Sequence, residues 1–202
     1  VPSELADAIV FMCRAPMPAP ERILAVVHEV AKARALPAAA ASANLSLDGA
    51  ELYAYLWLRA PADVAAAPLA REVALASRAA TVEALRLARL QDIAGASHGA
   101  RAAFHYVVET DVTPEADRDL NAWYNEEHLP GLAAVPGTIR AQRLMSLDRS
   151  PRYHSCYELL SKETLGSPPW LAVRQTAWSD RVRPNFRNTK RTMFTRVAEA
   201  AL

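Results

Sequence analysis

The order in which strand-like and helix-like segments alternate in the second half of the chain leaves few folds open. Residues 102–110 (Ala-Ala-Phe-His-Tyr-Val-Val-Glu-Thr) are rich in aromatic and β-branched side chains, a strand signal. Thr113-Pro114-Glu115 reads as a helix cap, a proline at the first helical position and an acidic first turn. That helix is predicted to run to about Ala134, with Pro130-Gly131 kinking or breaking it because proline cannot donate to the helical ladder. Pro136-Gly137 opens a second strand, Thr138 to Leu147, and Asp148-Arg149-Ser150-Pro151 is a turn. Tyr153 to Leu160 returns as a third strand. Ser161-Lys162-Glu163 begins a further helical region that includes Trp170 and Trp178, and Asn188 to Val197 is the last strand. The order is βαββαβ, the split-βαβ or ferredoxin-like arrangement, in which a four-stranded antiparallel sheet carries two helices on one face.

The first half repeats that order more weakly. Ala8 to Arg14 reads as a strand, and Ala19-Pro20-Glu21 starts a helix to about Ala35. Ala39 to Leu47 and Glu51 to Leu58 flank Asp48-Gly49 as a hairpin. Pro61-Ala62-Asp63 starts a second helix, to about Ala79. In Val82 to Leu90, Leu85 and Leu87 alternate as in a strand, whereas Val82, Leu85 and Ile93 also fit a helix; the duplication selects the strand. A chain of 202 residues accommodates two such units. The expected boundaries are 1–96 and 97–202, with Gly95-Ala96-Ser97-His98-Gly99 as the joint. The bare sheet face of each unit is apolar, so the two sheets are expected to pack face to face as an intramolecular α/β barrel of the α+β class.

Composition narrows the function. Hydrophobic residues make up 51% and charged residues 22%, and the net charge of +1 argues against a nucleic-acid surface. A basic cluster (Arg181, Arg183, Arg187, Lys190, Arg191, Arg196) reads as a solvated face or as the seat of an anionic group at a pocket mouth. Two isolated cysteines, Cys13 and Cys156, suit a reducing, cytoplasmic setting. No apolar run reaches the ~18 residues needed to cross a membrane. Neither a dinucleotide or phosphate loop nor a Gly-x-Ser-x-Gly elbow is present, and the histidines lack metal-ligand spacing. The expectation is a small-molecule ligand with no metal and no cofactor; self-association stays open.

Chemistry concentrates in residues 120–137. On helical spacing Leu120, Trp123, Tyr124, Glu127 and His128 share one face, so a carboxylate and an imidazole are carried inward with the aromatics. His128 is the candidate acid/base group, with Glu127 or Asn125 to orient it; the competing reading is a cap on the helix C-terminus. By strand alternation His105 groups with Val107 and Glu109, and His154 with Cys156 and Glu158, which would let both histidines line a polar cavity. Trp123, Tyr124 and Trp170 offer flat walls for an aromatic ligand. Arg140 and Arg143 are candidates to hold a carboxylate or phenolate, or are edge charges.

The run Trp123-Tyr124-Asn125-Glu126-Glu127-His128-Leu129-Pro130, followed by Val135-Pro136-Gly137 and a strand, resembles the EthD-like family of the dimeric α/β-barrel superfamily. The hairpin from Arg152 to Leu159 and Ser167-Pro168-Pro169-Trp170 fit the same layout. The similarity covers roughly residues 102–197; the first half matches in element order only, since His28 there has no accompanying Trp and no His-Leu-Pro. The resemblance implies the barrel fold. It also implies one of several activities: cofactor-free oxygenation of aromatic polyketides, ring isomerisation of lactones, polyketide cyclisation, haem binding or degradation, or a non-catalytic small-molecule-binding or stress-related role.

Overall fold

The computed structural model describes residues 4–202. Its elements are β1 (Ala6–Arg14), α1 (Pro20–Ala33), β2 (Ala38–Ser46), β3 (Glu51–Ala62), α2 (Ala66–Ser77), β4 (Val82–Ala94), β5 (Phe104–Val112), α3 (Asp117–Trp123), α4 (Leu129–Ala133), β6 (Thr138–Ser146), β7 (Tyr153–Leu159), α5 (Pro168–Arg174), α6 (Ala177–Val182) and β8 (Phe186–Ala201). This is an α+β fold in which the βαββαβ order occurs twice. The ambiguous segment after α2 is a strand, with Val10 opposite Leu85 and Ala8 opposite Leu87.

The chain divides into two units. Unit one comprises residues 4–89, 146–149 and 194–202, and unit two comprises 90–145 and 150–193. Strands β4 and β8 each have residues in both units. Unit one has the strand order β4-β1-β3-β2-β8. Its α1 has Pro20 in the first turn, Glu21 beside it and Lys32 in the last turn, which suits the helix dipole. Ile23, Val27, Leu69 and Val73 from the two helices pack on Ile9 and Phe11 of β1. The Cys13 thiol lies in this core, where burial pushes its pKa up to about 11, so it is a poor nucleophile. Both cysteines are free and buried.

Unit two has the order β8-β5-β7-β6-β4. Its register places Tyr106 opposite Tyr157, and Ala141 and Arg143 opposite Tyr157 and Ser155. Cross-strand partners share a face, so these side chains form one side of the sheet. Tyr106 and Tyr157 meet Trp170 of α5, which identifies that side as the helix-covered one. His105, Glu109, His154, Glu158, Arg140 and Gln142 occupy the alternate positions and point the other way.

The helix expected to kink or break at Pro130 does not end there. Residues Tyr124–His128 form a π-helical turn between α3 and α4, in which the Leu129 N–H donates to the Tyr124 carbonyl five residues back. In a regular α-helix the Pro130 ring would meet the carbonyl four residues earlier, and the wider turn relieves that contact. The backbone then runs on, and Ala134 donates to the Pro130 carbonyl at 3.0 Å.

Gly137 opens β6 with φ +96°, and a Cβ there would lie 2.4 Å from Thr164 Oγ1. Its N–H donates to Ser97 Oγ at 2.9 Å. Gly137→Ala is therefore expected to lose about 1–3 kcal/mol of stability, measurable as a lower denaturant midpoint with an unchanged slope. No helix among the described residues is long and apolar enough to cross a membrane.

Candidate functional site

Leu120, Trp123, Tyr124, His128 and Leu129 are all buried, as the helical spacing predicts. The imidazole of His128 stacks on the indole of Trp123, with centroids 4.0 Å apart and planes 19° from parallel. Tyr124 meets both rings edge-on, at 4.8 Å and 5.3 Å. The Trp123 indole N–H donates to Glu127 Oε1 at 3.2 Å, and the Thr176 hydroxyl donates to the same oxygen at 2.6 Å. Glu127 thus holds the indole on which His128 rests and makes no hydrogen bond to the imidazole. Asn125 is exposed; its carbonyl accepts from Gln91 Nε2 at 3.3 Å.

Because the helix continues past it, His128 has no C-terminal carbonyls to cap, and its side chain makes no capping bond. The residue is 7% exposed and its Nδ1 is buried without a hydrogen-bond partner. Burial first, then the positive charges of Arg174, Arg183 and Arg143, pull its pKa down to about 3. It is a neutral imidazole at physiological pH.

His128 lines a small cavity in unit two together with Trp123, Tyr124, Tyr157 and Trp170, with Arg174, Arg183 and Arg191 also on its wall. The volume is about 30 Å³. That is space for a water; ligand pockets start at roughly 300 Å³. The lid is tight in part because Gly131 of α4 lies under α5: a Cβ there would come within 2.8 Å of Val173 Cγ1.

Beneath Tyr124 lies Arg143, 0% exposed. Its guanidinium carbon sits 4.3 Å from the Tyr124 ring centroid and 4.4 Å from that of Tyr153. Arg143 Nη1 donates to Asn121 Oδ1 at 2.8 Å, whereas Nε and Nη2 are buried without partners. Asn121 and the Tyr153 hydroxyl both donate to the Asp117 carboxylate, at 3.2 Å and 2.6 Å. The cation is therefore balanced at one remove, through Asn121. The Tyr157 hydroxyl and Trp170 Nε1 are also buried without a protein partner.

The structure brings His128, Trp123, Tyr124 and Trp170 together and places Glu127 behind Trp123. It puts His105, His154 and Arg140 on the opposite face of the sheet. There His154 Nδ1 is 3.9 Å from Glu109 and its Nε2 lies 3.2 Å from the Pro151 carbonyl. Arg140 is taken up by Asp92 through two bonds of 2.8 Å and 2.5 Å. Tyr106, Tyr157 and Arg174 were not singled out from the sequence. Alternation groups Tyr157 with Tyr153 and Ser155 on one strand face, which is the signal the sequence holds for it.

The space beside His128 is too small for a haem in this structure. One face of the His128 ring is covered by Trp123 at 4.0 Å, and the adjoining space of about 30 Å³ holds no macrocycle.

No family model and no curated protein matches the chain. Solved structures do. A putative monooxygenase from Lactobacillus acidophilus NCFM superposes with a TM-score of 0.66 at 9% identity, over 97% of this chain and 96% of its own. An anthrone oxidase-like protein gives 0.56 at 15% identity, over 96% and 92%. A ferredoxin-fold protein from Listeria monocytogenes 4b F2365, related to antibiotic biosynthesis monooxygenases, gives 0.53 at 9% identity over 96% of each chain. At this identity the likeness shows fold alone: the chain has a ferredoxin-like fold, with the βαββαβ order occurring twice in one polypeptide.

Proposed function

We propose that unit two binds and transforms a small aromatic or polyketide-like molecule by cofactor-free acid/base chemistry, in the manner of an EthD-like barrel protein, within a reducing, cytoplasmic setting. The observation that carries this reading is the convergence of the buried imidazole of His128 with Trp123, Tyr124, Tyr157 and Trp170 on one cavity. The π-helical turn that carries His128 supports it, because such turns occur often at functional sites. So do the similar solved structures, two of which are described as a putative monooxygenase and an anthrone oxidase-like protein.

The proposed step is proton transfer from an acidic C–H or O–H of the bound molecule to neutral His128. The positive charges that make an imidazolium unfavourable here favour the conjugate base of the ligand, so the field that weakens the base strengthens the acid. Admission of a ligand requires α5, which supplies Trp170 and Arg174 to the wall, to move outward.

A second reading, a non-catalytic binding barrel, is favoured by the small volume of the cavity and by the cover of Trp123 over His128. Deuterium exchange at the CH₂ of anthrone in D₂O without oxygen, followed by NMR, separates the two. Catalysed exchange that falls about 10²–10⁴-fold in His128→Ala supports proton transfer. Binding of anthrone with exchange no faster than in buffer supports the non-catalytic reading, and absence of binding overturns the aromatic-ligand reading.

A further inference from the structure

We propose that the ligand of the unit-two pocket is an aromatic carboxylate, whose anionic group is received by Arg174, Arg183 and Arg191. This rests on the aromatic-pocket reading and adds the charge of the ligand to it. The basic run at the end of unit two, with its continuation into unit one, sorts into two kinds of residue. Arg181 donates to Asp119 through two bonds of 2.8 Å. Arg187 donates to the Pro184 and Phe186 carbonyls at 2.9 Å and 2.7 Å. Lys190 lies 3.9 Å from Glu109, and Arg196 donates to Asn44 at 2.9 Å and to Glu199 at 3.1 Å. Arg174, Arg183 and Arg191 make no hydrogen bond and no ion pair among the described residues, and these are the arginines that line the cavity with His128.

No carboxylate lines that cavity. The three guanidiniums share that wall, and burial, then Arg174 and Arg191, lower the pKa of Arg183 despite the opposing pull of Asp180. Behind them the unpartnered Nδ1 of His128, the Tyr157 hydroxyl and the Nε and Nη2 of fully buried Arg143 lie on the same side of the sheet. Apart from the lone acceptor that a neutral imidazole can offer, this is a donor-rich, cationic end joined to an aromatic slot. A guanidinium fork matches a carboxylate in two parallel bonds, and an indole wall matches a ring, so one molecule carrying both satisfies both ends.

The test compares 2-naphthoate with 2-naphthol, which share a ring system and differ in charge at neutral pH, by calorimetric titration of the full chain. The expected result is that 2-naphthoate binds roughly ten- to a hundredfold more tightly, with an advantage that shrinks as salt is raised. The triple variant Arg174→Gln, Arg183→Gln, Arg191→Gln is expected to lose that advantage and to keep its affinity for 2-naphthol. The three side chains have no hydrogen bond to lose, and far-UV circular dichroism checks that the variant folds. A second readout uses only the wild-type chain: bound 2-naphthoate raises the NMR-measured pKa of His128, and bound 2-naphthol does not. Equal affinities, or an advantage that survives the triple variant, overturn the carboxylate inference while 2-naphthol binding leaves the aromatic pocket standing. Failure of both probes to bind overturns both.

Discussion

Replacing His128 with phenylalanine is expected to flatten the acid side of the protein's stability curve. The ordinary histidine pKa is 6.5, and in the fold it is pulled to about 3. Above pH 6.5 neither the folded nor the unfolded chain carries a proton here, and the group makes no difference. Between those values the unfolded chain binds a proton that the native imidazole refuses, so native stability falls as pH falls. Below about 3 both states are protonated and the loss levels off. The slope approaches 1.4 kcal/mol per pH unit, which makes the contribution at pH 4.5 about 2–3 kcal/mol. Phenylalanine keeps a flat ring against Trp123 and has no proton to take up. Urea unfolding of both proteins at pH 7 and pH 4.5 is the measurement. The variant should match the wild type within about 1 kcal/mol at the higher pH and exceed it by about 2–3 kcal/mol at the lower. Groups that titrate elsewhere in the chain act equally in both proteins and cancel in the difference. Parallel curves would show that the imidazole titrates normally and is not held neutral by the fold.

Trp170→Ala is expected to cost about 3–5 kcal/mol, the usual loss for emptying a buried indole site. Trp170 is 1% exposed and packs edge-on against Tyr157 at 5.2 Å and Tyr106 at 6.3 Å. It ties α5 to the sheet at the cavity, so its removal leaves a void that adjoins the existing space of about 30 Å³. Added indole should restore part of the lost stability, rising with concentration as expected of a ligand that binds only the native state. Trp170→Phe should lose far less, because the indole N–H has no partner to forfeit. Equal losses in the two variants would mean that α5 is held by something other than this ring.

The local patterns of this chain were legible at the level of secondary structure, because they depend on neighbours in sequence. Alternation around Phe104–Val112 and Tyr153–Leu159 marks strands wherever the rest of the chain lies, and Leu120, Trp123, Tyr124 and His128 fall on one helix face by spacing alone. The duplication then settled Val82–Ala94 as a strand where its own residues were ambiguous. The inward placement of His128 followed from the same arithmetic, since the apolar residues beside it must be buried.

Alternation sorts His105 from Tyr106 and Arg140 from Arg143, but it does not say which set meets the helices. That was decided by cross-strand register and by Trp170 landing on Tyr106 and Tyr157, contacts between residues far apart in sequence. The continuation of the helix through Pro130 was likewise a tertiary outcome: proline forbids a regular turn, and a widened one persists where Trp123, Tyr124 and His128 pack inward. Six basic residues between Arg181 and Arg196 look alike in sequence. Asp119, 62 positions before Arg181, binds that arginine through two hydrogen bonds, whereas Arg183 makes none and lines the cavity. Strand and helix positions, and the residues of the Trp123–His128 helix that turn inward, follow from periodicity over a few residues and can be read from the chain alone. Charge pairing and the side of the sheet that holds the site depend on the folded molecule, because a counter-charge or a covering helix comes from a distant part of the chain.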